Sequence, residues 1–167
     1  MKRRACAAAI AAAGLLAGCA WFRPQTKASL WEGRIAIKDP GDPQNNISAS
    51  FELQGNANAG SLGLFNMLGL TLASMRWGEG FAELQSGGET HTFKSADAMV
   101  RSSLGHSVPL AAVFGWLNGS NASVPGWEVD RSRYAERRLR ARKTAAAAPG
   151  SGPDQTGLEL LLVWDAP

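Results

Sequence analysis

The sequence predicts a mainly β protein with some α (α+β): a curved, incompletely closed antiparallel β-barrel covered by short helices. Three observations predict it. Apolar residues alternate at period two in successive runs between Trp31 and Phe93, the pattern of strands with one wet face. The links between these runs are short and rich in Gly, Asn and Pro, as in a meander. A helical stretch then intervenes before strands resume, and its stripe Leu110, Val113, Phe114 and Leu117 falls at i, i+3, i+4, i+7, so it must cover something apolar.

The chain opens with a targeting segment. Lys2, Arg3 and Arg4 precede an apolar run from Ala5 to Ala17, and small residues follow; this is the layout of a secretory signal peptide. The run is 13 residues long, short of the roughly 20 needed to span a bilayer. Leu16-Ala17-Gly18-Cys19 resembles the bacterial lipobox. That resemblance implies cleavage before Cys19, with fatty acyl chains on its thiol and its new amino group. An ordinary signal peptide, or a buried apolar helix that happens to hold a cysteine, are the alternatives for the same residues. Residues 1–18 are thus expected to leave, residues 19–30 to form the acylated terminus and tether, and residues 31–167 to form one domain. The 11 residues from Ala20 to about Leu30 reach roughly 35–40 Å when extended. Trp21 and Phe22 suit either a membrane interface or packing on the domain.

Trp31, Gly33, Ile35 and Ile37 alternate with Glu32, Arg34, Ala36 and Lys38, the first strand. Asp39–Asn46 turns into the second, where Ile47, Ala49, Phe51 and Leu53 alternate with polar residues. A loop over Gly55–Gly60 leads to Leu62–Phe65 and, through Asn66-Met67-Leu68-Gly69, to Leu70–Trp77. Phe81–Gln85 and Thr90–Phe93 follow, joined by Gly87-Gly88, the composition of a primed turn. Ser95 caps a helix over Ala96–Leu104, Gly105 stops it, and Pro109 opens the second helix, which Asn118-Gly119 ends. Strands return at Gly126–Asp130, Arg137–Lys143 and Leu158–Trp164. Thr144–Gly157, with four alanines, two prolines and three glycines, reads as a loop.

Composition excludes several function classes. The formal charge is +3, and Lys2, Arg3 and Arg4 account for all of it. The mature chain is balanced, so the basic pI is no argument for a nucleic-acid partner. Cys6 and Cys19 both precede the domain, which leaves it no disulfide, thiolate nucleophile or Cys-based metal site. His91 and His106 are the only histidines, and no carboxylate pattern around them suggests a zinc site or a catalytic triad. Phosphate-binding glycine motifs are absent. No cofactor and no catalysis are expected. A buried carboxylate pair or a histidine–carboxylate contact in a cleft would reopen an enzymatic reading.

The order of several segments resembles the LolB family of outer-membrane lipoprotein receptors of Gram-negative bacteria. They are Leu16-Ala17-Gly18-Cys19, Trp31-Glu32-Gly33-Arg34, Leu64-Phe65-Asn66-Met67-Leu68-Gly69, Leu104-Gly105-His106-Ser107-Val108-Pro109-Leu110, Gly115-Trp116-Leu117-Asn118-Gly119, Trp127, and the Leu-rich strand ending at Trp164. The resemblance covers nearly all of the mature chain. It implies a monomer, lipid-anchored through Cys19 on the periplasmic face of the outer membrane, that takes lipoproteins from the periplasmic carrier LolA. Their acyl chains would enter an apolar cavity, and insertion into the outer membrane would need neither ATP nor catalysis. Ala20 agrees, since in the family's sorting logic an aspartate after the cysteine favours inner-membrane retention. The chain departs from the family pattern in its short tether and in its Ala/Pro/Gly-rich loop before the last strand.

The resemblance also assigns residues. Leu68, beside Met67, matches an exposed apolar residue that helps deliver lipoproteins to the membrane. An apolar tip where polar turn residues are usual fits a greasy partner, although either side chain could instead fold onto the core. Candidates for the cavity lining are Ile35, Ile37, Ala49, Phe51, Leu53, Leu62, Leu64, Leu110, Phe114, Leu160 and Leu162, each of which is also an ordinary core candidate. Arg138, Arg140 and Arg142 point to one face of their strand, either as a solvated outer face or as a docking surface for acidic headgroups or an acidic rim on the carrier. The rival from another class is a structural or assembly-factor outer-membrane lipoprotein that binds proteins; a filled barrel interior would favour it.

Overall fold

The computed structural model describes residues 29–104, 106–144 and 157–165. The signal peptide, Cys19, most of the tether, the Gly105 helix stop and most of the 144–157 loop lie outside these residues. The meander runs β1 (Leu30–Lys38), β2 (Ile47–Gly55), β3 (Gly60–Phe65), β4 (Thr71–Gly78), β5 (Phe81–Ser86) and β6 (Glu89–Phe93). Helices α1 (Ala96–Leu104) and α2 (Leu110–Leu117) follow, and β7 (Trp127–Asp130), β8 (Arg138–Lys143) and β9 (Glu159–Trp164) complete the fold. The expected elements are all present, with ends shifted by one or two residues; Leu30, expected in the tether, is already paired with Gln54 on β2. Short 3-10 turns at Pro43–Asn45 and Tyr134–Glu136 were not expected, because three residues leave no periodicity to read.

All nine strands form one antiparallel sheet in the order β6-β5-β4-β3-β2-β1-β9-β8-β7. The edges, β6 and β7, do not pair, so the barrel stays open. Period-two alternation puts Phe51, Leu53, Met75, Trp77, Leu139, Ala141, Leu160, Leu162 and Trp164 on the buried face, with Glu52, Arg76, Arg138, Arg140 and Arg142 outside. Gly87 and Gly88 have φ of 61° and 85°, as a type I′ hairpin turn requires.

The helices cover the concave face. Ser95 caps α1 as expected, its Oγ accepting from the Ala98 amide at 3.2 Å. Pro109 stands one position earlier than expected, as the N-cap of α2, where its carbonyl accepts from the Ala112 and Val113 amides. Packing of α1 is against β4, β5 and β6. Helix α2 buries Leu110, Val113, Phe114, Trp116 and Leu117, which is the expected stripe plus one tryptophan.

Because neighbouring strands alternate in direction, their links fall at two opposite ends of the sheet. The chain enters β1 at Leu30 and leaves β9 at Trp164 at one end, together with the β2–β3 and β4–β5 links. The β1–β2, β3–β4 and β5–β6 links lie at the other.

Gly33 sits where β1 is squeezed between Phe51 on β2 and Trp164 on β9. A Cβ built there would lie 2.1 Å from the Val163 carbonyl oxygen, a backbone atom that cannot step aside without breaking the ladder. Gly33→Ala is therefore expected to lower stability by about 1–3 kcal/mol, read as a fall in the urea midpoint.

Candidate functional site

The two helices do not fill the curve of the sheet. Between them lies an apolar cavity of about 270 Å³. Ile35 and Ile37 of β1, Phe51 and Leu53 of β2, and Leu62 and Leu64 of β3 face it. So do Leu160 and Leu162 of β9, and Leu110 of α2. Ala49 and Phe114 are buried but lie outside its wall. Phe114 instead meets Trp31 edge-on at 5.6 Å between ring centroids and Trp77 at 6.3 Å. It closes the aromatic end of the core rather than the cavity.

Several wall residues were not among the expected lining. The helical cover contributes Val100, Ser103, Leu104, Val108, Val113 and Leu117, and the sheet adds Ile47, Ala73, Met75, Leu84 and Ser86. No sequence signal separates a core position from one facing an empty volume. Among the described residues, Ser86 and Ser103 bring the only side-chain hydroxyls to the wall. Such a lining recognises hydrocarbon, with almost nothing to orient a polar ligand.

The β3–β4 turn stands beside this wall. Leu64 pairs with Ala73, and both face the cavity, two residues before Asn66 and three after Leu70. The turn itself is firmly built. Asn66 Oδ1 accepts from the amides of Leu68 and Leu70, each at 2.9 Å, and Gly69 has φ of 77°. With the Asn66 amide donating to the Leu70 carbonyl and the Gly69 amide to the Asn66 carbonyl, these bonds brace the turn, and Met67 and Leu68 project from it, 92 % and 84 % exposed. Leu70 is 62 % exposed and Leu72 43 %, so the apolar surface extends beyond the two residues expected. A register shift between Leu64 and Phe65 leaves Leu72 without a cross-strand partner, as in a β-bulge, which re-aims a side chain. That irregularity could not be read from alternation.

The arginines of β8 do share the outer face, but their neighbours neutralise two of them. Arg140 Nε lies 2.9 Å from Glu159 Oε1, and Arg142 Nη2 lies 3.7 Å from the same carboxylate. Across on β7 stand Asp130 and Glu128. Arg138 differs: Val163 is its partner on β9, and Arg34 faces Val163 from the other side.

A histidine–carboxylate contact is also present. His106 Nε2 lies 2.5 Å from Asp39 Oδ2, with the two residues 7 % and 4 % exposed. The Gly41 amide donates to Asp39 Oδ1, and the Asp39 amide to Asn46 Oδ1. Neither His106 nor Asp39 lines the apolar cavity. Their separation of 67 positions put the contact beyond sequence reading.

A family model described as outer membrane lipoprotein LolB matches residues 29–147. None of the curated proteins matches the chain.

The hydrogen bond from His106 holds the Asp39 carboxyl below its ordinary value of 3.8, against the opposing effect of burial. A carboxylate whose pKa is lowered by folding adds stability that is present above its unfolded value and lost as pH falls through the folded one. Urea midpoints measured from neutral pH to below about 4 should therefore fall less steeply for Asp39→Asn than for the unsubstituted protein.

Proposed function

The chain belongs to the family of the outer membrane lipoprotein LolB, a family of outer-membrane lipoprotein localisation, and on that premise we propose that it accepts lipoproteins from the periplasmic carrier LolA and inserts them into the outer membrane. It holds their acyl chains in the apolar cavity and works without a catalytic step. It is anchored by acyl chains on Cys19, faces the periplasm and acts as a monomer. One observation carries this reading: an apolar cavity whose wall runs up to a rigid turn presenting Met67, Leu68 and Leu70 to solvent. A hydrocarbon-lined volume would hold the cargo, and a neighbouring apolar surface of this kind suits a lipid partner.

Transfer proceeds by differential affinity. An acyl chain gains roughly 0.8 kcal/mol per buried CH₂ in either a cavity or a bilayer, so exchange between two such environments is nearly balanced. A slightly more favourable acceptor then draws the chain forward. At about 270 Å³ the cavity falls just below the usual range of ligand pockets, about 300–1,000 Å³. The protein-binding alternative draws support from a filled interior, and the unfilled cavity counts against it. The buried His106–Asp39 pair is not part of the cavity wall.

The direct test mixes the chain from Ala20 onward with a LolA-type carrier holding a labelled lipoprotein. The label is expected on this protein, and Leu68→Glu should leave acceptance within about two-fold while cutting delivery to vesicles roughly ten-fold, the scale set by placing a charge in an apolar environment. Label that stays on the carrier while the domain is folded would overturn the acyl-acceptor function and turn attention to protein partners.

The outer face of β8 is proposed to dock on acidic groups of the carrier rim or of lipid headgroups, through Arg138 above all. Arg140 and Arg142 already share Glu159. Arg138→Glu should slow transfer and flatten its dependence on salt, whereas Arg140→Glu confounds docking with the loss of an ion pair. Equal rates and equal salt slopes would dismiss the docking role.

A further inference from the structure

The end of the sheet at which the chain enters has a groove of its own, open and about 650 Å³ in volume. Leu30 and Trp31 of β1, Tyr134 and Ala135 of the β7–β8 link, and Trp164 of β9 supply its apolar walls. Glu32, Arg137 and Asp165 supply the polar part. The walls are fixed. Tyr134 packs on Trp164 with ring centroids 5.2 Å apart, and its hydroxyl donates to the Leu117 carbonyl of α2 at 2.9 Å. Arg137 is, among the described residues, the one non-glycine with a left-handed backbone, at φ of 58°. Its guanidinium donates to the Asp165 carbonyl at 2.7 Å. Such a conformation persists only where the surrounding structure enforces it, and here it brings a cation to a groove walled by aromatic rings. Leu30 nevertheless stands 51 % exposed on that wall.

The chain that would cover it is close at hand. The Ser29 carbonyl accepts from the Gly55 amide at 3.1 Å, so the residues before Ser29 arrive beside the groove. Trp21 and Phe22 lie eight and seven positions before it. A flexible segment of eight residues spans about 14–17 Å, enough to fold back onto a groove that begins at Leu30. The charges are complementary. Arg23 and Lys27 are the only charged residues between Ala20 and Ser29, and the groove offers the exposed carboxylates of Glu32 and Asp165. Aromatic walls with one guanidinium suit an aromatic ring, through edge-on contact and cation–π attraction. Ring and groove share one chain, so their effective concentration is about millimolar and even weak docking is populated.

We propose that this groove is the docking site of the chain's own N-terminal segment, which seats the Trp21 and Phe22 side chains against Trp31, Tyr134 and Trp164 and covers Leu30. Docking is independent of what the apolar cavity holds. It also sets a posture. With Trp21 seated, Cys19 stands two residues from the groove, and a lipid on that cysteine holds the entrance end of the sheet against the membrane. A tether drawn taut cannot dock, so seating and reaching are alternatives.

The test places the photo-crosslinking analogue p-benzoylphenylalanine at Phe22 in the full chain, purified in detergent, and maps the products by mass spectrometry. Cross-links within one molecule to Tyr134–Arg137 or Trp164–Asp165 are expected. Ala135→Arg adds bulk and charge to the wall at an exposed position and should cut their yield roughly ten-fold, the scale of disrupting a contact centre. Trp21→Ser should cut it several-fold. Where Ala135→Arg fails to fold, Leu30→Ser, also at an exposed site, should lower the yield in the same direction. Cross-links to detergent or lipid alone would overturn the docking and place Trp21 and Phe22 at the membrane interface. Cross-links between two molecules that grow with protein concentration would overturn it in favour of a second copy as occupant. An intramolecular yield that none of these substitutions changes would overturn it as well, since a short tether gives chance proximity without a site. Lipoprotein transfer that fails while the specific cross-links persist leaves the docking standing and removes only the acyl-acceptor function.

Discussion

The rest of the structure depends on the pairing of the last strand with the first. β9 lies between β1 and β8, and through it alone the β7–β8 hairpin joins the six-strand meander. Its inner face, Leu160, Leu162 and Trp164, also supplies the middle of the cavity floor and part of the aromatic end. The approach is close because Gly33 carries no side chain. A continuous nine-strand sheet follows from that contact, and the continuous sheet produces the curvature under which a cavity persists. Remove the pairing, and two small sheets remain with nothing to curl around.

That curvature creates an unusual balance for the helices above it. In most small domains a helix stripe is held by what it packs on. Here a good part of the stripe looks into space, and the cover is located by its polar ties and by the aromatic cluster of Phe114, Trp31 and Trp77. Such a cover can move without dismantling a core. On the proposed function, a cavity that admits flexible chains and a scaffold that stays folded would be reconciled by dividing the labour between the sheet, which carries most of the pairing, and the helices above the cavity.

Much of this was legible in the sequence, for physical reasons. Period-two alternation is enforced wherever one face of a strand is wet, so β1, β2, β8 and β9 could be placed to within a residue or two. The i, i+3, i+4, i+7 stripe marked α2, and paired glycines marked the β5–β6 turn. The cavity was only half legible. Burial imposes the same residue types on packed and on hollow interiors, so Ala49 and Phe114 were grouped with the lining, while Met75, Leu84 and Val108 were not. Features made by residues far apart were out of reach. The Asp39–His106 contact, the sharing of Glu159 by two arginines and the bulge at Leu72 each depend on register or on the closing of the sheet, neither of which is a local property of the chain.

The two ends of the sheet are not equivalent. The chain enters at Leu30, at the end opposite the β3–β4 turn, and β1 is 9 residues long, about 30 Å at the usual strand rise. If the acylated Cys19 fastens the protein to a membrane, it does so by a leash attached to the far side of the barrel from Met67 and Leu68. With Leu30 already in β1, the ten residues from Ala20 to Ser29 would reach roughly 33–36 Å when extended, only slightly more than the length they have to run. For the turn to touch the same bilayer, the barrel must tip over with its leash nearly taut. On that anchoring its short length would act as a ruler, allowing the tipped posture and leaving little slack beyond it.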